Sequence, residues 1–216
     1  MEAKNVSVWP RYLEWFLWSL TRRLEEVTRW RNYEERTREN VLEHTFKSLL
    51  LTLLVIFLEK RYGRKDFDAF RLFVGDFLHD CPEGLSGDIT YHVKKDPTVK
   101  KALQEIEIRL FREFLGEYLP LEIVEDIFGA FALESDRVSF EGRLFHAIEI
   151  VGYVSYALYE VEEHSRRDFT KVFATQYEEL SALAEEFASI NIIWQALKPR
   201  LDKHLAQQKK RRARNI

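Results

Sequence analysis

Within the sixteen residues GDFLHDCPEGLSGDIT, Gly75 to Thr90, the chain sets an imidazole beside a carboxylate at His79-Asp80. Glu83 follows three residues after Asp80, and Asp88 lies beyond two glycines. An imidazole nitrogen and a carboxylate oxygen together suit a borderline divalent ion, such as Mn, Co, Fe, Zn or Ni, better than a thiolate-loving one. Adjacent residues on a helix point about 100° apart, so a neighbouring His and Asp converge on one ion most easily at a helix end. Pro82 forces such an end here. The dipeptide alone is weak, because six His and ten Asp in 216 residues give roughly 0.3 such pairs by chance. The preceding helix adds His44. A lone core His with one hydrogen bond is the usual reading of such a residue, but beside His79-Asp80 the balance moves to a metal ligand. Cys81 reads as a small buried thiol rather than a soft ligand.

The elements that must position these groups are helices. Apolar residues recur at helical spacing, and no stretch alternates with period two for long enough to make a sheet. The spacing predicts an all-α fold with helices near 10–30, 38–62, 66–80, 96–115, 120–133, 140–164 and 168–207. The punctuation agrees: Asp96-Pro97 caps one helix, Gly116 closes it, Pro120 opens the next, and Asp168 caps the last. The helix before His79-Asp80 carries an apolar face of Phe67, Phe70, Phe73, Val74 and Phe77. Leu49 to Leu58 is about half the length that spans a bilayer and reads as a buried helix. One domain is expected over 1–208, followed by a basic, solvated tail over 209–216.

The charge balance narrows the partners. The net charge is −3, yet Lys209 to Arg214 alone carries five positive charges, leaving the rest of the chain near −8. Such a body is too acidic for a nucleic-acid surface. A single cysteine rules out an intramolecular disulfide and fits a reducing compartment, with the cytoplasm as default. The first twenty residues show no signal-peptide pattern. No membrane partner is expected.

Three blocks carry a resemblance: RWRNYEERTRENVLEH (Arg29 to His44), HDCPEGLSGD (His79 to Asp88) and, more loosely, FHAIEIVGYVSYALYE (Phe145 to Glu160). The order of His, then His-Asp, then a distal acid on a later helix resembles the HD-domain metal-dependent phosphohydrolases. Within them the chain is most similar to the bacterial YfbR-like 5'-deoxynucleotidases, whose pattern runs Arg-Trp, Glu-Asn-Val-x-Glu-His, then His-Asp-x-x-Glu with Gly-Asp following. The resemblance implies a single HD-domain bundle of about six to eight helices. It implies that His44, His79 and Asp80 ligate a divalent ion, whether Mn, Co, Mg or another transition metal. Glu83 would handle the proton of the attacking metal-bound water, and Asp88 would contact substrate and water. Arg29 would meet the sugar-phosphate end of a nucleotide, Trp30 would wall off the sugar, and Tyr91 and Lys94 would line the phosphate side. Periodicity alone favours a core role for Trp30. The family also implies a homodimer, for which the aromatic residues Trp9, Trp15, Phe16 and Trp18 offer a surface.

Two positions depart from the family pattern. Its distal ligand is Asp, and the best alignment here places Glu149 there, one methylene longer, which moves a bound ion by about one C–C bond length. His146, one turn earlier on the same face, is a candidate substitute ligand or a support for Glu149. After Asp88, where the family tends to have Thr-Pro before Lys, this chain has His92 in place of the Pro. The leading expectation is removal of the 5'-phosphate from deoxyribonucleoside 5'-monophosphates. Its rivals are release of triphosphate from deoxynucleoside triphosphates, a catalytically impaired nucleotide-binding protein, and a scaffold working through the tail.

Overall fold

The computed structural model describes residues 18–30, 39–87 and 96–213. Among them are eight helices of two turns or more, one single-turn helix and no strand, as the periodicity predicts. They are α1 (Leu20–Glu26), α2 (Val41–Tyr62), α3 (Ala69–Leu78), the single turn α4 (Glu83–Ser86), α5 (Pro97–Tyr118), α6 (Leu121–Phe131), α7 (Phe140–Glu163), α8 (Thr170–Glu186) and α9 (Ala188–Arg212). Short 3-10 turns precede α7 and α8, at Ala132–Ser135 and Arg167–Phe169.

Two apolar clusters divide the interior. The larger surrounds α7, whose Leu144, Phe145, Ile148, Val151 and Val154 are buried against α2, α3, α8 and α9. The smaller joins Leu20 and Leu24 of α1 to Phe111, Phe114 and Leu115 of α5 and to Val124, Phe128 and Phe131 of α6. Val41, Leu78 and Cys81 belong to this second cluster, so the start of α2 and the end of α3 lie where the two meet. Gly75 lets α3 approach closely, since a Cβ there would lie 2.6 Å from Leu133 Cδ2.

Several sequence expectations are corrected. The first helix stops at Glu26 rather than near 30, because Val27 turns extended and the chain pairs with the entrance to α2. Thr28 bridges Asn40, Arg29 N–H donates to the Glu39 carbonyl at 2.9 Å, and Val41 N–H donates to the Val27 carbonyl at 3.0 Å. The helix expected over 168–207 is two helices, broken at Phe187 (φ −115°, ψ 123°). No Gly or Pro marks that break. It follows from burial of Phe187 and from Glu59 of α2, whose Oε2 accepts from Ser189 N–H at 2.8 Å and Ser189 Oγ–H at 2.6 Å. Asp168 supplies no side-chain cap to α8, and Gly116 does not end α5. Asp96 does cap α5, accepting from Thr98 and Val99 N–H. Phe70 lies on the solvent side of α3. The last helix continues through Arg212, taking the first residues of the basic tail into it.

The apolar run in α2 is only half buried. Val41, Thr45, Thr52, Val55, Ile56 and Glu59 face the interior, while Phe46, Leu50, Leu53, Leu54 and Phe57 face solvent. Among the described residues α2 is the one helix long and apolar enough to cross a membrane, yet its inner face carries a carboxylate and two hydroxyls into the bundle.

Candidate metal centre and active site

The capping of α2 sets the first donor. Asn40 Oδ1 accepts from Glu43 N–H at 2.8 Å and Glu43 Oε2 accepts from Asn40 N–H at 3.4 Å, a reciprocal box that starts the helix at Val41 and places His44 in its first turn. The second and third donors come from the end of α3. His79 is still helical (φ −58°, ψ −39°) and bonds to the Gly75 carbonyl. The chain then winds through two tight bonds, Cys81 N–H to Leu78 O and Glu83 N–H to Asp80 O, into α4, which Gly87 ends at φ 77°. The neighbouring His and Asp thus stand at a helix end, where the change of direction lets both side chains point the same way.

They converge on one carboxylate oxygen. Asp80 Oδ2 lies 3.2 Å from His79 Nε2 and 3.4 Å from His44 Nε2, and one donor atom from each residue lies within 4.8 Å of the others. The opposite nitrogens are held from behind. His79 Nδ1 is 2.5 Å from the Asp76 carbonyl, which can only accept, so Nδ1 carries a hydrogen and Nε2 is the nitrogen turned to Asp80. His44 Nδ1 lies 3.6 Å from Glu39 Oε2. Phe145 packs edge-on against the His79 ring, with centroids 5.3 Å apart. Imidazoles oriented by an oxygen partner and aimed with a carboxylate at one point form a donor set suited to a borderline divalent ion.

The electrostatics favour positive charge at that point. Burial opposes ionisation of Asp80, but His79 and Arg29 outweigh it and hold the carboxyl well below its usual range. Arg29 Nη1 donates to Asp80 Oδ2 at 2.5 Å. Burial opposes the Arg29 charge as well, and Asp80 and Glu83 more than restore it. Glu83 is buried in the first turn of α4. Cys81 is buried, donates weakly to the Phe77 carbonyl, and has its thiol pKa pushed up chiefly by burial, as expected of an inert thiol.

Glu149 sits apart from this group. It faces the same cavity as His44 and His79 and its charge acts on His79, but its carboxylate is not among the donors that converge. Its neighbours are its own helix's residues, Tyr153 OH at 3.4 Å and His146 Nδ1 at 3.9 Å. His146 turns its Nε2 away to Glu179 at 2.7 Å. Asp88, Tyr91 and Lys94 lie outside the described residues.

The cavity beside the donors has a volume of about 420 Å³ and is lined by Glu39, His44, Lys47, His79 and Glu149 together with Tyr153, Tyr156 and Tyr159. Trp30 backs this wall: it stacks on Tyr156 (centroids 5.0 Å, planes 12° apart) and meets Tyr153 edge-on. Its backbone is left-handed, φ 59°, a strained state for an aromatic residue. Its indole N–H reaches Glu39 Oε2 at 3.3 Å. Trp30 therefore belongs both to the packing and to the site.

Sequence reasoning missed Glu39 and Asp76. Glu39 is buried and ties Trp30, His44 and Lys47 to one carboxylate, whose pKa drops to about 2 because hydrogen bonds and charge from His44 and Lys47 overcome its burial. Asp76 is fully buried, accepts from Ser48 Oγ–H at 2.6 Å, and lies one turn before His79. For Asp76, one helical turn before His79, that spacing was the available signal; Glu39, ahead of the helix start, carried none. The tyrosines of α7 carried none, since at helical spacing they read as core.

The family model described as 5'-deoxynucleotidase YfbR-like matches residues 16–200 of the chain. A curated relative, 5'-deoxynucleotidase plu3092 of Photorhabdus laumondii, is 28% identical over 105 residues, which cover 48% of this chain and 53% of the relative. The match thus spans about half the length of that relative. Among solved structures, an HD-domain phosphohydrolase (lin2634) from Listeria innocua superposes with a TM-score of 0.72 at 18% identity, covering 94% of this chain and 99% of that one. That likeness is one of fold.

Proposed function

The chain belongs to the YfbR-like 5'-deoxynucleotidase family, and from that premise we propose that it is a metal-dependent phosphohydrolase that removes the 5'-phosphate from deoxyribonucleoside 5'-monophosphates. The observation that carries this reading is the convergence of His44 Nε2, His79 Nε2 and Asp80 Oδ2 beside a cavity walled by tyrosines. The HD-domain fold and the deoxynucleotidase relative support it.

His44, His79 and Asp80 hold the divalent ion, with Glu149 the distal acid across the cavity. When bound there, such an ion acidifies water and takes up phosphoryl charge. Glu83, close enough to act on Arg29, moves the proton of the attacking water. Arg29 pairs with the phosphate oxygens as their charge grows, and Asp80 keeps its guanidinium in place until then. The tyrosine wall backed by Trp30 takes the sugar and base, and Asp88, Tyr91 and Lys94 complete the phosphate side, as the resemblance implies. The buried thiol of Cys81 suits a reducing compartment and supports a cytoplasmic location.

Metal stripping followed by restoration with Mn, Co, Mg, Zn or none, and chromatography of products from mixed deoxynucleoside mono- and triphosphates, tests this. Nucleoside with free phosphate supports the monophosphatase. Nucleoside with triphosphate replaces it by a triphosphohydrolase. One observation favours a second reading, a nucleotide-binding protein without turnover: Glu149, where the family has Asp, stands outside the converging donors. That reading expects no product with any metal, a nucleotide-induced rise in melting temperature, and turnover restored by Glu149→Asp.

A further inference from the structure

A second cavity, of about 260 Å³, opens where the chain leaves α7, and it shares no lining residue with the first. Ser165, Arg167 and Thr170 line it from the 3-10 turn and the start of α8, while His204, Gln208 and Arg211 line it from α9. The three α9 residues are four and three positions apart, so they share one face of that helix. Among the described residues no carboxylate lines the cavity. Glu162, the acid beside His204, is already engaged by His204 and Arg200, and Asp168 of the turn is not in the lining.

Three features give this space its chemistry. The side chains of Arg167 and Arg211 are exposed, and among the described residues neither joins an ion pair, hydrogen bond or ring contact. Thr170 is only 4% exposed, yet it lines the cavity and its hydroxyl makes no hydrogen bond among the described residues. A hydroxyl so buried ordinarily has a partner, and an anion in the cavity supplies one. α8 also starts without a side-chain cap, which leaves the positive end of its dipole open at Thr170. Two guanidinium groups, a hydroxyl and a helix start around one space fit a phosphoryl anion. The volume falls below the roughly 300–1,000 Å³ of sites that take whole small molecules, so it suits a diphosphate better than a nucleotide.

We infer that this cavity is a second anion site, separate from the metal centre, which holds a diphosphate group between Arg167 of the turn and Arg211 of α9. The inference stands on the cavity and its cations and does not depend on the reaction proposed above. The same turn also touches the first cavity from behind. Phe169, two residues after Arg167, packs on Trp30 with centroids 5.5 Å apart and on Tyr156 at 5.9 Å. An anion that draws on Arg167 therefore shifts the residue that supports the tyrosine wall.

Calorimetric titration of the full chain, freed of metal on a chelating resin, with sodium pyrophosphate as the probe tests it; circular dichroism of each variant reports folding. The wild type is expected to bind pyrophosphate with a Kd below about 1 mM. Arg167→Gln with Arg211→Gln is expected to weaken binding at least about tenfold with unchanged helicity, since both side chains already face solvent. Thr170→Val keeps the shape, removes the hydroxyl and is expected to weaken binding by about 2–10-fold. Pyrophosphate is expected to change the tryptophan fluorescence of the wild type and to leave Trp30→Phe and the double arginine variant unmoved. No binding up to about 1 mM, or binding indifferent to the two arginine substitutions, overturns the site. Binding with no change in wild-type fluorescence overturns its link to Trp30. Deoxyadenosine triphosphate separates the sources of the diphosphate: affinity equal to that of pyrophosphate means that the phosphates alone are held. Affinity at least about tenfold tighter, lost in the arginine variant, overturns the choice of a bare diphosphate and makes the occupant a nucleotide.

Discussion

The two sides of the candidate site are built to different tolerances. On one side His44, His79 and Asp80 come from the start of α2 and the end of α3, at the meeting of the two cores, and each is held from behind by Glu39, the Asp76 carbonyl or Arg29. On the other side the contacts of Glu149 at 3.4 and 3.9 Å are with Tyr153 and His146 of its own helix, and His146 is engaged by the half-exposed Glu179. The difference teaches where preorganisation has been placed. Three candidate donors are held in place by neighbouring groups, while the carboxylate of Glu149 stands outside their convergence.

Asp80→Asn should show the largest effect, because it removes the charge that both imidazoles and Arg29 face while keeping the shape. Calorimetric Mn binding should fall below detection and phosphate release should drop by at least about 100-fold. Retained Mn affinity would place the ion elsewhere. Glu39→Gln keeps the size of the orienting group and takes away its charge, so Mn affinity should weaken by about 10–100-fold in the same titration. Glu149→Ala is expected to cost less than tenfold in Mn affinity, and a loss larger than that of Glu39→Gln would reverse the comparison of the two sides.

The smallest effect tests the support of α7. Asp136 Oδ1 accepts from Val138 and Ser139 N–H, and its Oδ2 accepts from Ser139 Oγ–H and Arg71, while Ser139 in turn caps α7 through Gly142 N–H. Asp136→Ala should lower stability by about 1 kcal/mol, or roughly 2–4 °C in Tm. The hydrogen bonds from Ser139, first of all, depress the Asp136 carboxyl below its ordinary value. Its contribution is therefore complete above the unfolded pKa of about 4 and is lost as pH falls through the lower folded value. The difference in Tm between wild type and Asp136→Ala should accordingly shrink below about pH 4 and hold steady above it.

Much of the three-donor side was legible because it rests on local rules. A His-Asp pair before Pro82 must stand at a helix end, and Asn40 with Glu43 announces a helix start one turn from His44. What was not legible depends on contacts between distant segments. Nothing near Phe187 signals a break, which depends on a carboxylate from α2. The apolar run of α2 points the wrong way: its outer face is the more apolar, and only neighbouring helices decide which half of its circumference is covered. Glu39 looks like any acid before a helix until the return of the chain from Val27 brings Trp30 to it.

The bond between Glu59 and Ser189 joins residues 130 positions apart, and Glu59 Oε1 also holds Arg64 N–H where α2 gives way to the loop. Closing so long a segment is a late event in folding, since a contact between distant residues cannot form before most of the chain is in place. On the ribosome the consequence is sharper. All three candidate metal donors are synthesised by residue 80, but the helix bearing the first of them stays unfastened at its far end until α9 has emerged.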